Sequence, residues 1–133
     1  MSAIKVEPIK TLTFEEAKAM LVSARKIPDT MTVTDYAEAV NQLAKLAMSY
    51  CGSSRVAAQV LLGTYNGNSW HVNLVDLCHL DASNYRAAMI VIRSRVEINR
   101  EPHEVIDNGD AVFDALQEEW KGYHVKNRYR PHD

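Results

Sequence analysis

Residues 55–67 read R-V-A-A-Q-V-L-L-G-T-Y-N-G, residues 74–81 L-V-D-L-C-H-L-D, and residues 84–98 N-Y-R-A-A-M-I-V-I-R-S-R-V-E-I. In the first and third stretches the apolar residues recur three and four positions apart, the period of a helix with one face inward. Asn66-Gly67 is a turn dipeptide that closes the first, and Asp81 stands where a helix N-cap is needed before the third. The unit is a helix, a glycine-broken turn, a short tethered segment and a second helix. It specifies a helical domain and carries no recognisable reaction chemistry.

Outward from that unit the same signals repeat. Thr13-Phe14-Glu15-Glu16 fits a capping box. Phe14, Ala17, Met20, Leu21 and Ala24 follow as the inner face of a first helix, which Pro28 stops. A second helix spans about 34–51, capped by Thr32 or Thr34, with Tyr36, Val40, Leu43, Ala44, Ala47 and Tyr50 inward and Gly52 as its left-handed terminator. Ser53 or Ser54 caps the third helix, which buries Val56, Val60, Leu61 and Tyr65. Between Trp70 and Leu80 a brief helical turn is preferred to a strand, because nothing else in the chain offers a strand to pair with. The long fourth helix runs to about Arg100 with Tyr85, Ala88, Met89, Ile92 and Val96 inward, and Pro102 closes it. A fifth, roughly 110–121, buries Val112, Phe113, Leu116 and Trp120.

A chain of 133 residues fits one domain and is long enough to bury a core without metal or disulfide staples. With 47% apolar and 24% charged residues and a net charge of −2, no overall field draws it to nucleic acid or anionic lipid. No apolar run approaches the ~18 residues that span a bilayer. Met1 to Pro8 lack the plan of a signal peptide, so a cytoplasmic protein is expected. Cys51 and Cys78 form no disulfide framework and have no metal-ligand spacing.

The region from Arg55 to Trp120 resembles an uncharacterised family of small helical bacterial proteins carried on plasmids, integrating elements and prophages. Arg55-Val56-Ala57, Leu61-Leu62, Asn66, Asp76-Leu77, Asp81 and the apolar run from Met89 to Ile92 carry the resemblance. Where other members carry tryptophans, this chain has Tyr65 and Cys78. The resemblance implies a fold and a mobile-element setting, and brings no activity with it.

Asn66, Asp76 and Asp81 would form a central polar pocket on a functional reading. A turn role for Asn66 and a cap for Asp81, worth about 1 kcal/mol each, account for type and position better. His71, Cys78, His79 and Asp81 are the nearest approach to a metal cluster, but adjacent Cys78 and His79 point about 100° apart on a helical turn. His103-Glu104-Val105-Ile106-Asp107 lacks the second histidine of a zinc-protease helix. No cofactor and no metal are expected. Cys51, at an apolar helix end, reads as a small buried hydrophobe.

Arg86, Arg93 and Arg100 recur every seven residues and share one face of the long helix. They read as a solvated face, or as a phosphate-tracking ridge. Residues 101–119 carry seven carboxylates and no Lys or Arg; residues 121–130 then hold Lys121, Lys126, Arg128 and Arg130 with Tyr123 and Tyr129 between them. Basic residues interleaved with aromatics suit single-stranded nucleic acid, or pairing with the acidic helix.

The expected fold is all-α, a compact bundle of about five helices with a short helical turn between the third and the long fourth. Residues 13–122 form the domain, between an extended arm (1–12) packed through Ile4, Val6 and Ile9 and a basic tail (123–133). Leu43, Leu61, Met89, Ile92, Leu116 and Trp120 are its expected core. The expected function is non-enzymatic binding of another, unidentified protein, through Tyr65, a partly exposed Trp70, His71, Tyr123, Lys126, Arg128 and Arg130. A homodimer is compatible, and no membrane contact is expected. Nucleic acid bound by Arg86, Arg93, Arg100, Lys121, Lys126, Arg128 and Arg130 is the second reading, and a small enzyme whose site converges from distant residues is the third.

Overall fold

The computed structural model describes residues 11–128. Five helices carry the fold: α1 (Phe14–Arg25), α2 (Val33–Ala47), α3 (Ser54–Tyr65), α4 (Ala82–Glu97) and α5 (Gly109–Glu119). Short 3-10 segments occupy Leu74–His79, Pro102–Val105 and Lys121–Tyr123, and a single turn, α6, spans Val125–Arg128. The all-α bundle with a short helical turn before the long fourth helix is therefore what forms. Among the described residues no helix is long and apolar enough to cross a membrane.

The centre is α3. Ser54 and every residue from Val56 to Leu62 are buried, because α2, α4 and α5 all pack against it. α2 supplies Tyr36, Ala39, Val40, Leu43 and Ala47, and α5 supplies Phe113 and Leu116. Local chemistry sets the starts. The Thr32 hydroxyl accepts from the Asp35 N–H at 3.1 Å, and the Asp35 carboxylate accepts from the Thr32 N–H at 3.3 Å. Asp81 caps α4, accepting from the Asn84 N–H at 2.8 Å, and the Thr13 hydroxyl accepts from the Glu16 N–H at 3.1 Å. Tyr36 is fully buried with its hydroxyl donating to the Arg100 carbonyl at 2.8 Å, and burial pushes its pKa up to about 12.

Several details differ from the sequence expectation. The buried face of α4 is Ala87, Ala88, Ile90, Val91 and Ser94, whereas Tyr85, Met89 and Ile92 are half-buried and Val96 is exposed. Two helical stripes compete on this helix. The one with small residues wins because it lets α2 and α3 approach closely, and the larger residues flank the seam. Ser94 lies in that seam, its hydroxyl without a hydrogen-bond partner among the described residues. Of the expected core, Leu43, Leu61 and Leu116 are buried, whereas Met89, Ile92 and Trp120 are only partly so.

α1 makes its contacts with α4 and leaves Phe14 (79% exposed), Met20 and Leu21 largely in solvent, with Ala17 half-buried. Ala24 lies outside the described side chains; Ile4, Val6, Ile9 and Arg130 lie outside the described residues. α2 stops at Ala47, and Tyr50, expected in its inner stripe, is exposed. Tyr50 rather than Gly52 takes the left-handed conformation, with φ 54°.

The entry to α5 is the tightest backbone approach. Asn108 is left-handed at φ 55°, and a Cβ on Gly109 would overlap the His103 carbonyl oxygen and come within 2.6 Å of its carbon. Both obstacles are main chain and cannot rotate away. Gly109→Ala is therefore expected to lower stability by about 1–3 kcal/mol or more, measured by urea unfolding. A midpoint equal to wild type would show that the Pro102–Val105 turn does not sit against α5 as described.

Candidate functional site

A polar seam runs from α3 to the segment that follows it. Arg55 and Gln59 are one helical turn apart, on a helix that is otherwise apolar inward. Arg55 Nη1 donates to Asp76 Oδ2 at 2.8 Å and to Gln59 Oε1 at 2.8 Å, and Gln59 Nε2 donates to the His71 carbonyl at 3.1 Å. The hydrogen bond from Arg55 holds the Asp76 carboxyl below the usual carboxylate range, against the opposing effect of desolvation. His79 Nε2 lies 4.0 Å from the other carboxylate oxygen. Two residues that carry the family resemblance, Arg55 and Asp76, are thus each other's partners.

The C-terminal segment closes over this seam. Tyr123 lies between two guanidinium groups, with the Cζ atoms of Arg55 and Arg128 each 5.9 Å from its ring centroid. Arg128 Nη1 donates to the His71 carbonyl at 3.1 Å, and the Val125 N–H donates to the Ser69 carbonyl at 2.9 Å. Trp70, expected to be partly exposed, is only 3% exposed. His124 forms an isolated antiparallel bridge with it and sets its ring edge-on at 5.1 Å. A groove of about 390 Å³ remains between this segment and α5, lined by Trp70, Asp114, Glu118, Lys121, His124 and Lys126.

Trp70, His71, Tyr123, Lys126 and Arg128 are therefore brought together at one end of the bundle. Residues 123–128, read as the start of a tail, pack on the domain. Tyr65 joins a different cluster, 5.1 Å from both the His103 and the Phe113 rings.

α4 ends at Glu97 rather than near Arg100, and Arg86, Arg93 and Arg95 on it, with Arg100 beyond it, hydrogen-bond to this chain's own carbonyls. Arg86 Nε donates to the Lys26 carbonyl at 2.8 Å, and Arg93 reaches the Pro28 and Asp29 carbonyls at 3.3 and 3.2 Å while pairing with Glu97 at 2.7 Å. Arg95 Nε donates to the Thr64 carbonyl at 3.0 Å, and Arg100 Nη2 to the Glu104 carbonyl at 3.2 Å. Arg86 and Arg93 tie the connection after α1 to the long helix, Arg95 ties that helix to the last turn of α3, and Arg100 holds the Pro102–Val105 turn. Lys121 pairs with Glu118 at 3.0 Å.

Asn66, Asp76 and Asp81 each have separate partners. The Asn66 side chain accepts from the Asn68 N–H at 3.2 Å and shapes the turn, while Asp81 caps α4. Glu101, His103 and Glu104 place ligand-type atoms within 4.8 Å of one another, and His103 Nε2 is 3.8 Å from Asp110. Glu104 is already engaged there, accepting from the Glu101 N–H at 3.1 Å.

Cys51, read as a buried hydrophobe, is exposed, because the chain leaves α2 before reaching it. Its Sγ lies 3.4 Å from the Ser54 hydroxyl and 3.6 Å from that of Ser53, and these contacts lower its pKa to about 7. No local signature marked this thiol; the paired serines two and three residues on were the available signal.

Two outcomes follow for these groups. A carboxyl depressed in the folded state stabilises above its unfolded pKa of about 3.9, and loses that contribution as pH falls through the folded value. Asp76→Asn should thus be less stable at neutral pH and show a shallower fall in Tm on acidification; superimposable Tm–pH profiles would refute the pairing. With Cys78→Ser as background, alkylation of Cys51 by iodoacetamide should have a rate midpoint near pH 7. A midpoint close to the ordinary thiol value of about 8.5 would show that the serine hydroxyls do not act on it.

No curated protein and no solved structure matches the chain. Residues 37–121 match a family of unknown function. That span takes in most of α2 and all of α3, α4 and α5, and leaves out α1 and residues 122–128. The chain belongs to this family, DUF7673.

Proposed function

We propose that this protein is a non-enzymatic interaction module carried by a bacterial mobile element, working in the cytoplasm by binding another protein. The observation that carries the reading is a pair of adjacent apolar side chains held outside the core. Leu74 and Val75 are 72% and 70% exposed at the start of the Leu74–His79 segment. Leu74 borders a groove of about 500 Å³ that it lines with Leu77, Cys78, Leu80 and Tyr85. Burial of an exposed Leu or Val on a partner is worth roughly 1.5–3 kcal/mol each. The apolar face of an amphipathic helix is the shape that such a groove takes.

The rest of the surface favours the same reading. Among the described residues, the groups whose pKa values are clearly shifted are Tyr36, Cys51, Asp76 and the Arg93–Glu97 pair, and they occupy separate places. Catalysis gathers such groups in one cleft. Arg86, Arg93 and Arg100 are engaged with this chain's own carbonyls, which weakens the case for a phosphate-tracking ridge. The mobile-element setting is supported by the family resemblance of the Arg55–Trp120 region.

The test is affinity capture of the tagged full chain from its host, with and without nuclease, beside Leu74→Glu. A stoichiometric protein should survive nuclease and fall roughly tenfold or more with Leu74→Glu, whose exposed position leaves Tm near wild type. Recovery that collapses with nuclease would move the function to nucleic acid. A partner retained by Leu74→Glu would remove the groove from the reading.

A further inference from the structure

We propose that the outer face of α1 is a self-association surface. Its occupant is α1 of a second copy of this chain, packed antiparallel across a two-fold axis. The face shares no lining residue with the groove beside Leu74, and its test does not depend on what that groove takes.

α1 leans on the body by one side. Its main contacts are with α4, and Ala17 is half-buried. Glu15, Lys18, Ala19, Val22, Ser23 and Lys26 are all exposed and line a shallow groove of about 450 Å³ on the side away from Ala17. Within it Glu15, Ala19, Val22 and Lys26 follow one another at intervals of four, three and four residues, which sets them in a single row along the helix. Phe14 and Leu21, one heptad apart, flank that row.

Charge selects the occupant. The row reads acidic, small, apolar, basic, and reversed it is its own complement. A second α1 laid antiparallel about an axis between residues 20 and 21 sets Glu15 against the second copy's Lys26 at both ends. Ala19 then meets Val22 twice in the middle, the isologous pattern of a two-fold pair. A parallel pair would instead set Glu15 on Glu15 and Lys26 on Lys26. Among the described residues neither Glu15 nor Lys26 has an ion-pair partner within the chain, so both are available to the second copy.

Apolar surface supplies the driving force. α1 holds Phe14, Met20, Leu21 and Val22, four of the eleven large apolar residues exposed among the described residues, and such clustering marks an interaction face. Small Ala19 lets two helix axes come close, and Val22, 62% exposed, fills the space opposite it. Three helical turns cover less than the roughly 800 Å² per partner of a standard interface. The pair therefore belongs to the weak class, governed by concentration and salt.

The test is sedimentation equilibrium of the full chain from roughly 10 μM to 1 mM at low salt. Wild type should pass from monomer to dimer, half-converted at a concentration on the order of 100 μM. Glu15→Lys and Lys26→Glu each bring like charges together at both ends, and each should weaken self-association roughly tenfold. Either reversal also opposes the dipole of α1, so the equimolar mixture of the two variants decides. Their heterodimer regains opposite charges at both ends and should form as readily as the wild-type dimer. Ala19→Arg fills the groove while Glu15, four residues earlier, supports the helix, so it should stay monomeric with Tm near wild type. A wild-type chain that remains monomeric to about 1 mM would overturn the proposal and leave the face to a different protein. A mixture that does not recover would overturn it too. So would a dimer that Leu74→Glu abolishes and Ala19→Arg leaves intact, which would place the pairing on the other groove.

Discussion

A helix without a solvent face constrains everything around it. Ser54 and residues 56–62 of α3 are buried, so α2, α4, α5 and the residues after Gly67 must all be laid against it. Two long polar side chains come with it. An unsatisfied buried polar group costs roughly 1–3 kcal/mol, more than a typical hydrogen bond returns. Arg55 and Gln59 therefore dictate the path of the following segment, which brings the Asp76 carboxylate to one and the His71 carbonyl to the other. The Leu74–His79 turn is positioned by that demand, and its exposed Leu74 and Val75 are a consequence of it.

The same logic recurs away from the centre. Arg86, Arg93, Arg95 and Arg100 donate to main-chain carbonyls, and the Trp120 indole N–H donates to the Ala47 carbonyl at 3.2 Å. These bonds satisfy main-chain groups at helix ends and connections, where no intrahelical partner exists. Cationic side chains that look available in one dimension are engaged in three.

Packing quality divides the molecule into a body and two covers. The helices within the family match enclose the core, whereas α1 leaves Phe14, Met20 and Leu21 exposed and the 121–128 segment is partly buried, with Tyr123 against the core. Both lie largely or wholly outside the matched span.

Local order was legible at several helix ends where the determining chemistry lies within four residues, though not at the end of α2 or the start of α3. Thr13, Thr32 and Asp81 cap the helices they precede, Asn66-Gly67 closes α3, and the helical period marks each long helix. The grouping of Trp70, His71, Tyr123, Lys126 and Arg128 at one end was legible only as a list of candidates. Phase and partnership were not. On α4 two stripes have the same period, and only the approach of α2 and α3 selects the one bearing Ala87, Ala88 and Ser94. The cover over Trp70, the carbonyl partners of the arginines and the exposure of Cys51 join residues far apart in the chain or follow from where α2 ends. The sequence by itself determined that this is an all-α protein and where most of its helices begin, because caps and periodicity are short-range. Tertiary structure alone decided which faces are inside and which polar groups are engaged, because burial depends on what the rest of the chain brings alongside.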